Sequence, residues 1–308
     1  MAQDAIKPNN TDKRLLLLSA WSSVLMISDL SDIILKTGFG QVSSWLFPAK
    51  LVYLALLLGL CFVWRSLRPL WPFAFVMLVF FTALSGSEWL KNLAWWKSLI
   101  SDGQPSFALT YLRPYLRDIG VTLLVIGALL IVKKKRTEFF LVKGRLDAPV
   151  EPIRWLGIRT GESWKNFSWI FAICAALGVA VPTLLALHLS PETFAKVIPL
   201  FPAVLFYAAI NAFCEELYFR ATFLSTLTGV IGKNHTLLLN AVFFGLAHWL
   251  YGSPPGLAGF AMTGFLAWLI GRSMLETGGF LWPWLIHFLP DVVIFSSYAV
   301  LWVQQAGK

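Results

Sequence analysis

Long apolar runs separated by short polar stretches recur along nearly the whole chain, without the alternation of period two that a membrane β-barrel requires. With about 20 apolar residues needed per span, membrane-crossing helices are expected near 14–35, 45–64, 69–86, 118–132, 167–189, 198–219, 236–251, 256–274 and 279–303. The expected fold is therefore all-α, a polytopic transmembrane bundle of about eight to nine spans. The fourth and seventh runs are short, which suggests tilted, kinked or incomplete spans. Residues 221–232 read as a re-entrant turn or an extension of the preceding helix.

Composition agrees, with 57% hydrophobic and 13% charged residues, against roughly 25% charged in soluble domains. The net charge of +9 points to basic loops beside a bilayer rather than to nucleic acid. Lys7, Lys13 and Arg14 precede the first span, Arg65 and Arg68 follow the second, and Lys133 to Arg136 follow the fourth. All fall on one side, expected to be cytoplasmic in a cell (inner) membrane. The loop 87–117, with Lys91, Lys97, Arg113 and Arg117, falls on the other side, and its Trp-rich start reads as an amphipathic interfacial helix. Trp45, Trp64, Trp71, Trp95, Trp96 and Trp282 fit interfacial belts. Cys61, Cys174 and Cys214 sit in apolar runs and imply packing rather than disulfides, and no cleaved signal peptide is expected. The stretch 133–165 holds nine basic and four acidic residues. It divides the chain into an N-terminal membrane region of about four spans with a basic linker, 1–150, and a C-terminal membrane domain, 151–308.

Charges inside spans cost about 2.5–3.5 kcal/mol on insertion scales and so point to function. The C-terminal half carries Glu215, Glu216, Arg220, His248, His287 and Asp291 in or beside its apolar runs. On a regular α-helix Glu216 and Arg220 lie about 40° apart, in the favoured acid-before-base order, whereas Glu215 lies about 140° from Arg220. Glu216 and Arg220 thus read as a structural pair, and Glu215 as the candidate for chemistry. Phe244 and His248 share a face, as do His287 and Asp291, while Asn211 lies one turn before Glu215. Glu215 with His248 would deprotonate a water, and His287 would stabilise an oxyanion. Three other readings use the same residue types: helix-to-helix hydrogen bonds, a zinc site and a transporter relay. The spacing is not that of a helical H-E-x-x-H, and no inverted repeat of broken helices is visible. His235 reads as a residue at a helix start, His188 as a loop residue, and Asp32 as a partner of Lys36 four residues on, where a second polar site near Asp29 is also weighed.

In order, Glu215-Glu216-x-x-x-Arg220, Phe244-x-x-x-His248 and His287-x-x-x-Asp291 resemble the CAAX-processing intramembrane protease family, also described as the CPBP or Abi family. The resemblance covers about residues 160–305 and is strongest from 205 to 295. It implies a multi-pass, metal-independent endopeptidase without cofactor, acting on a membrane-associated peptide or protein in the bilayer. Glu215 and His248 would activate the water, and Glu216, Arg220, Phe244 and Asn211 would support the site. His287 and Asp291 match an oxyanion pair whose last member is often Asn. An ionised Asp291 cannot donate a hydrogen bond, so it would act either as a neutral acid or, the preferred reading, as the charge partner of His287. Non-catalytic membrane adaptors or immunity-type proteins on the same fold, and transporters, are the competing functions. The first four spans match no named pattern and are expected to be a scaffold, a gate or an addition.

Overall fold

The computed structural model describes residues 10–98, 106–187, 189–252 and 254–306. The described residues form α1 (Asn10–Ile27), α2 (Leu30–Phe39), α3 (Leu46–Val63), α4 (Trp71–Leu90), α5 (Ala94–Ser98), α6 (Phe107–Lys133), α7 (Trp164–Leu187), α8 (Pro191–Val197), α9 (Phe201–Glu215), α10 (Thr222–Ile231), α11 (Lys233–Tyr251), α12 (Leu257–Thr277) and α13 (Leu281–Ala306). A π-helical turn, Glu216–Ala221, joins α9 to α10. Among these residues β pairing is confined to two isolated bridges, Pro149 with Ser163 and Ile153 with Ile158. An all-helical chain follows from its solvent, since in hydrocarbon each backbone group must be satisfied within its own segment. Among the described residues, seven helical stretches are long and apolar enough to cross a membrane, or eight if α1 and α2, bent by 49°, form one broken span. The protein is an integral, multi-pass membrane protein.

One boundary differs from the hydropathy reading, and two alternatives that it left open are decided. The fourth span begins at Phe107 rather than near 118, because its first turns carry Arg113 and Arg117, which resemble loop residues until Arg117 is seen 2.8 Å from Asp118. The stretch 221–232 extends α9 through the π turn, and Pro191–Ile231 forms one long apolar stretch. Helix α11, at the expected seventh span, is not among the seven, consistent with the Lys, Asn and His residues it carries. Trp45, Trp64 and Trp95 are exposed as expected of a belt, but Trp96 and Trp282 are buried.

Two compact units are each described by themselves. The first comprises Met1–Thr82, Ala128–Lys134 and Phe219–Gly271. Its core is aromatic: Phe73 meets Phe223 at 5.3 Å and Phe80 meets Phe219 at 5.9 Å, both edge to face, contacts worth about 0.5–1.5 kcal/mol each beyond the area they bury. At the α1–α2 break, the buried Lys50 of α3 lies 2.5 Å from Asp32 and 3.7 Å from Asp29. Lys50 therefore takes the place expected of Lys36, whose ammonium lies 5.7 Å from the Tyr251 ring centroid. A tertiary partner of this kind leaves no trace in local spacing.

The second unit comprises Ala83–Gly127, Lys135–Tyr218 and Arg272–Lys308. Here α13 packs against α7, α8 and α9, over a core that includes Phe107, Tyr115, Val204, Tyr207, Phe295 and Ala299. The basic stretch after α6 is folded onto the start of α13. Arg145 N–H donates to the Thr277 carbonyl and Phe280 N–H to the Val142 carbonyl, both at 2.8 Å. Between these bonds Gly144 and Gly279 touch backbone to backbone: a Cβ on Gly144 would stand 2.6 Å from Gly279 Cα. Glu276 adds side-chain ties, accepting from Trp164 Nε1 at 2.9 Å, Glu151 N–H at 3.0 Å and Arg272 Nε at 3.0 Å. Trp282, in the first turn of α13, donates to the Leu146 carbonyl at 2.9 Å, which explains its burial. These ties set the depth and rotation of α13 fewer than two turns before His287.

Gly144 and Gly157 both have positive φ, +78° and +73°, but only Gly144 faces another backbone, since nothing lies within 4 Å of a Cβ on Gly157. Gly157→Ala should cost about 1 kcal/mol from the left-handed conformation alone, whereas Gly144→Ala should cost at least twice that. Thermal unfolding in detergent compares them, and equal losses would refute this role for the crossing.

Candidate active site

Glu215 closes α9, and the π turn that follows carries Glu216 and Arg220, both with no solvent exposure. A π turn closes i to i+5 and is wider than an α turn, so the angular sorting derived for a regular helix does not carry across it. Such insertions occur often at functional sites.

In the second unit, α9 and α13 bring four ionisable residues together. His287 Nδ1 lies 2.7 Å from Glu216 Oε1, and His287 Nε2 lies 3.6 Å from Glu215 Oε2 and 3.7 Å from Asp291 Oδ1. The four-residue spacings place Asn211 over Glu215 and His287 over Asp291, so each helix presents two polar side chains on one face. Asn211 Nδ2 reaches both acids, donating to Glu215 Oε1 at 3.3 Å and to Asp291 Oδ2 at 3.0 Å. Burial separates the carboxylates. The Glu216 side chain is 0% exposed and Asp291 6%, whereas Glu215 is 26% exposed and so the most accessible of the three acids. His287 lies at hydrogen-bonding distance from Glu216, a contact that local spacing did not offer.

In the first unit, the Arg220 guanidinium lies over the Phe244 ring, 3.8 Å from its centroid, and the ring packs against His248 with centroids 4.5 Å apart. Desolvated cation–π contacts of this kind contribute about 2 kcal/mol. His248 Nδ1 lies 2.9 Å from the Phe244 carbonyl. A carbonyl only accepts, so Nδ1 carries the proton, and in the neutral ring Nε2 holds the free lone pair. Phe244 therefore does more than mark a helix face, since it orients His248 through both its ring and its carbonyl.

The remaining polar residues fall as follows. His235 lies in the first turn of α11 and accepts from Trp21 Nε1 at 3.4 Å. Cys214 is a buried free thiol. His188 lies outside the described residues. Among the described residues no group of three His, Cys, Asp or Glu side chains is arranged to hold a metal ion. The sequence reading did not include Tyr115, whose hydroxyl donates to Asn211 Oδ1 at 3.1 Å, or Tyr218, whose hydroxyl donates to the Asp118 carbonyl at 2.6 Å. A signal for the α6 residues exists: Tyr111, Tyr115, Asp118 and Thr122 recur at intervals of 4, 3 and 4, one stripe of a helix. Placing the span start near 118 hid half of it.

No curated protein and no solved structure matches the chain. Residues 197–293, which include each of the candidate residues from Asn211 to Asp291, match the family model described as type II CAAX prenyl endopeptidase Rce1-like, so this part of the multi-pass membrane protein is similar to the CAAX-processing protease (CPBP) family.

Proposed function

We propose that the protein is a metal-independent intramembrane endopeptidase that hydrolyses a membrane-associated peptide or protein, with Glu215 as the general base. The observation that carries this reading is the exposure difference within one cluster: three carboxylates surround His287, and Glu215 alone is substantially exposed. In this reading Glu215 takes a proton from a water, whose oxygen attacks the scissile carbonyl carbon. The same proton then passes to the departing amine as the C–N bond breaks. His248 is the second group on that water, a role that follows the family pattern and suits a ring whose Nδ1 is already bound to a carbonyl. His287 donates to the oxyanion, a contribution typically worth about 2.7–4 kcal/mol. Asp291 and Glu216 hold the imidazole in place for it. The protein is placed in the cell (inner) membrane with its basic loops in the cytoplasm, following the distribution of Lys and Arg.

Purified protein in nanodiscs is to be offered quenched-fluorescence peptides, a farnesylated CAAX peptide and unmodified apolar peptides among them. Glu215→Gln should lower cleavage by about 10²–10⁴-fold, and a strong chelator should have no effect. Wild-type cleavage by Glu215→Gln removes the assigned base, and loss on chelation restores a zinc mechanism. Folded protein that cleaves none of the peptides would favour an adaptor on the same fold.

Asp291→Asn keeps the size of the side chain but removes the charge facing His287 Nε2. Expected are a kcat lowered about tenfold and a stability changed by less than about 1 kcal/mol. Unchanged kcat across pH would refute the charge-partner role of Asp291 and make the residue equivalent to the Asn common in the family.

A further inference from the structure

We propose that Tyr115, on α6 and outside the matched residues 197–293, is a positioning residue of this site: its hydroxyl fixes the orientation of the Asn211 amide, and the amide fixes the two carboxylates. The proposal rests on the reading of Glu215 and Asp291 given above. An amide has one accepting and one donating end. Here the donating end, Nδ2, faces Glu215 Oε1 at 3.3 Å and Asp291 Oδ2 at 3.0 Å, and the accepting end, Oδ1, faces the Tyr115 hydroxyl at 3.1 Å. Turning the amide over would set its oxygen against two carboxylates, which only accept, so the acids choose the orientation, and the Tyr115 hydroxyl holds the amide in it by donating to Oδ1. The amide so held bridges an acid on α9 to an acid on α13.

The tyrosine is itself held. Tyr115 is 8% exposed, stacks on Tyr207 with centroids 5.1 Å apart at 29°, and meets Phe295 at 5.8 Å. Tyr207 is anchored in turn by donating its hydroxyl to the Ala108 carbonyl at 2.6 Å. The hydroxyl thus approaches Asn211 from a ring that packing has already fixed, so little conformational entropy opposes the contact. The fourth span supplies part of the site's geometry as well as a wall beside it.

Tyr115→Phe removes only the hydroxyl. It should lower kcat about fivefold with KM within about twofold, as expected when one hydrogen bond in a buried network is lost. Asn211→Ala should lower kcat further, and Tyr115→Phe added to Asn211→Ala should change nothing more, since the tyrosine acts through the amide. Tyr111→Phe, which removes a hydroxyl from the same aromatic cluster but not from Asn211, controls for packing and should leave kcat unaltered. Infrared spectra of the carboxylate bands at fixed pH give a readout independent of cleavage, in which Tyr115→Phe and Asn211→Ala shift the same bands and Tyr111→Phe shifts none. Should Glu215→Gln cleave normally, the assigned base falls, while the infrared cycle still decides whether Tyr115 acts on the acids. Independent, additive effects of Tyr115→Phe and Asn211→Ala on kcat or on the bands would overturn the proposal.

Discussion

The close approach of Glu216 and His287 is the contact on which the second unit turns. Glu216 has no exposure, and it lies 2.7 Å from the imidazole across the α9–α13 interface. Removing one partner from a buried pair of charges can cost about 3–5 kcal/mol, and here the loss would also disturb an imidazole that Asp291 and Glu215 approach. The penalty makes the contact an alignment constraint: α13 is stable against α9 only at the rotation and depth that bring His287 to Glu216. Once that register is set, the helical repeat fixes the neighbours, with Asp291 one turn along α13 and Asn211 about one turn back along α9. The acids, amide and imidazole follow from one costly interaction and two periodicities.

The folded basic stretch enforces the same register from the end of α13. Gly144 against Gly279, the two backbone bonds beside them and the Trp282 bond to Leu146 define where α13 begins. Glu276 then ties Trp164, the first residue of α7, to the last turn of α12. A segment whose composition suggests a flexible cytoplasmic linker is thus part of what holds a residue in the membrane interior. Its charge count gave no hint of this, because the decisive residues are two glycines and a tryptophan, which local reading assigns to turns and to an interfacial belt.

What the chain disclosed by itself divides along a physical line. The apolar runs gave the helical bundle directly, since the requirement for internal hydrogen bonding leaves few alternatives in lipid. The intramembrane charges gave the candidate residues, because each is costly to place in a span. Partners were less legible. For Glu216, α-helical spacing offered Arg220 but could not offer His287, which lies 2.7 Å away and 71 residues on. Lys50 likewise meets Asp32 from another helix, where spacing offered Lys36. Local periodicity identifies a face, while the partner of that face is decided by packing that separates residues widely in sequence.

The same distinction explains why the fourth span offered no site residue and was expected to be a scaffold, a gate or an addition. A family pattern built on residues 197–293 directs attention to α9–α13, and a hydropathy boundary near 118 left Tyr115 in a loop. Hydropathy measures the average of a window, whereas α6 mixes apolar residues with a polar stripe at Tyr111, Tyr115, Asp118 and Thr122. Such a stripe lowers the average precisely because it faces protein, so the turns that contribute most to a buried polar network are those a hydropathy threshold removes first. In a membrane enzyme, then, the end of a span that looks too polar to be a span is a place to search for residues that orient the site.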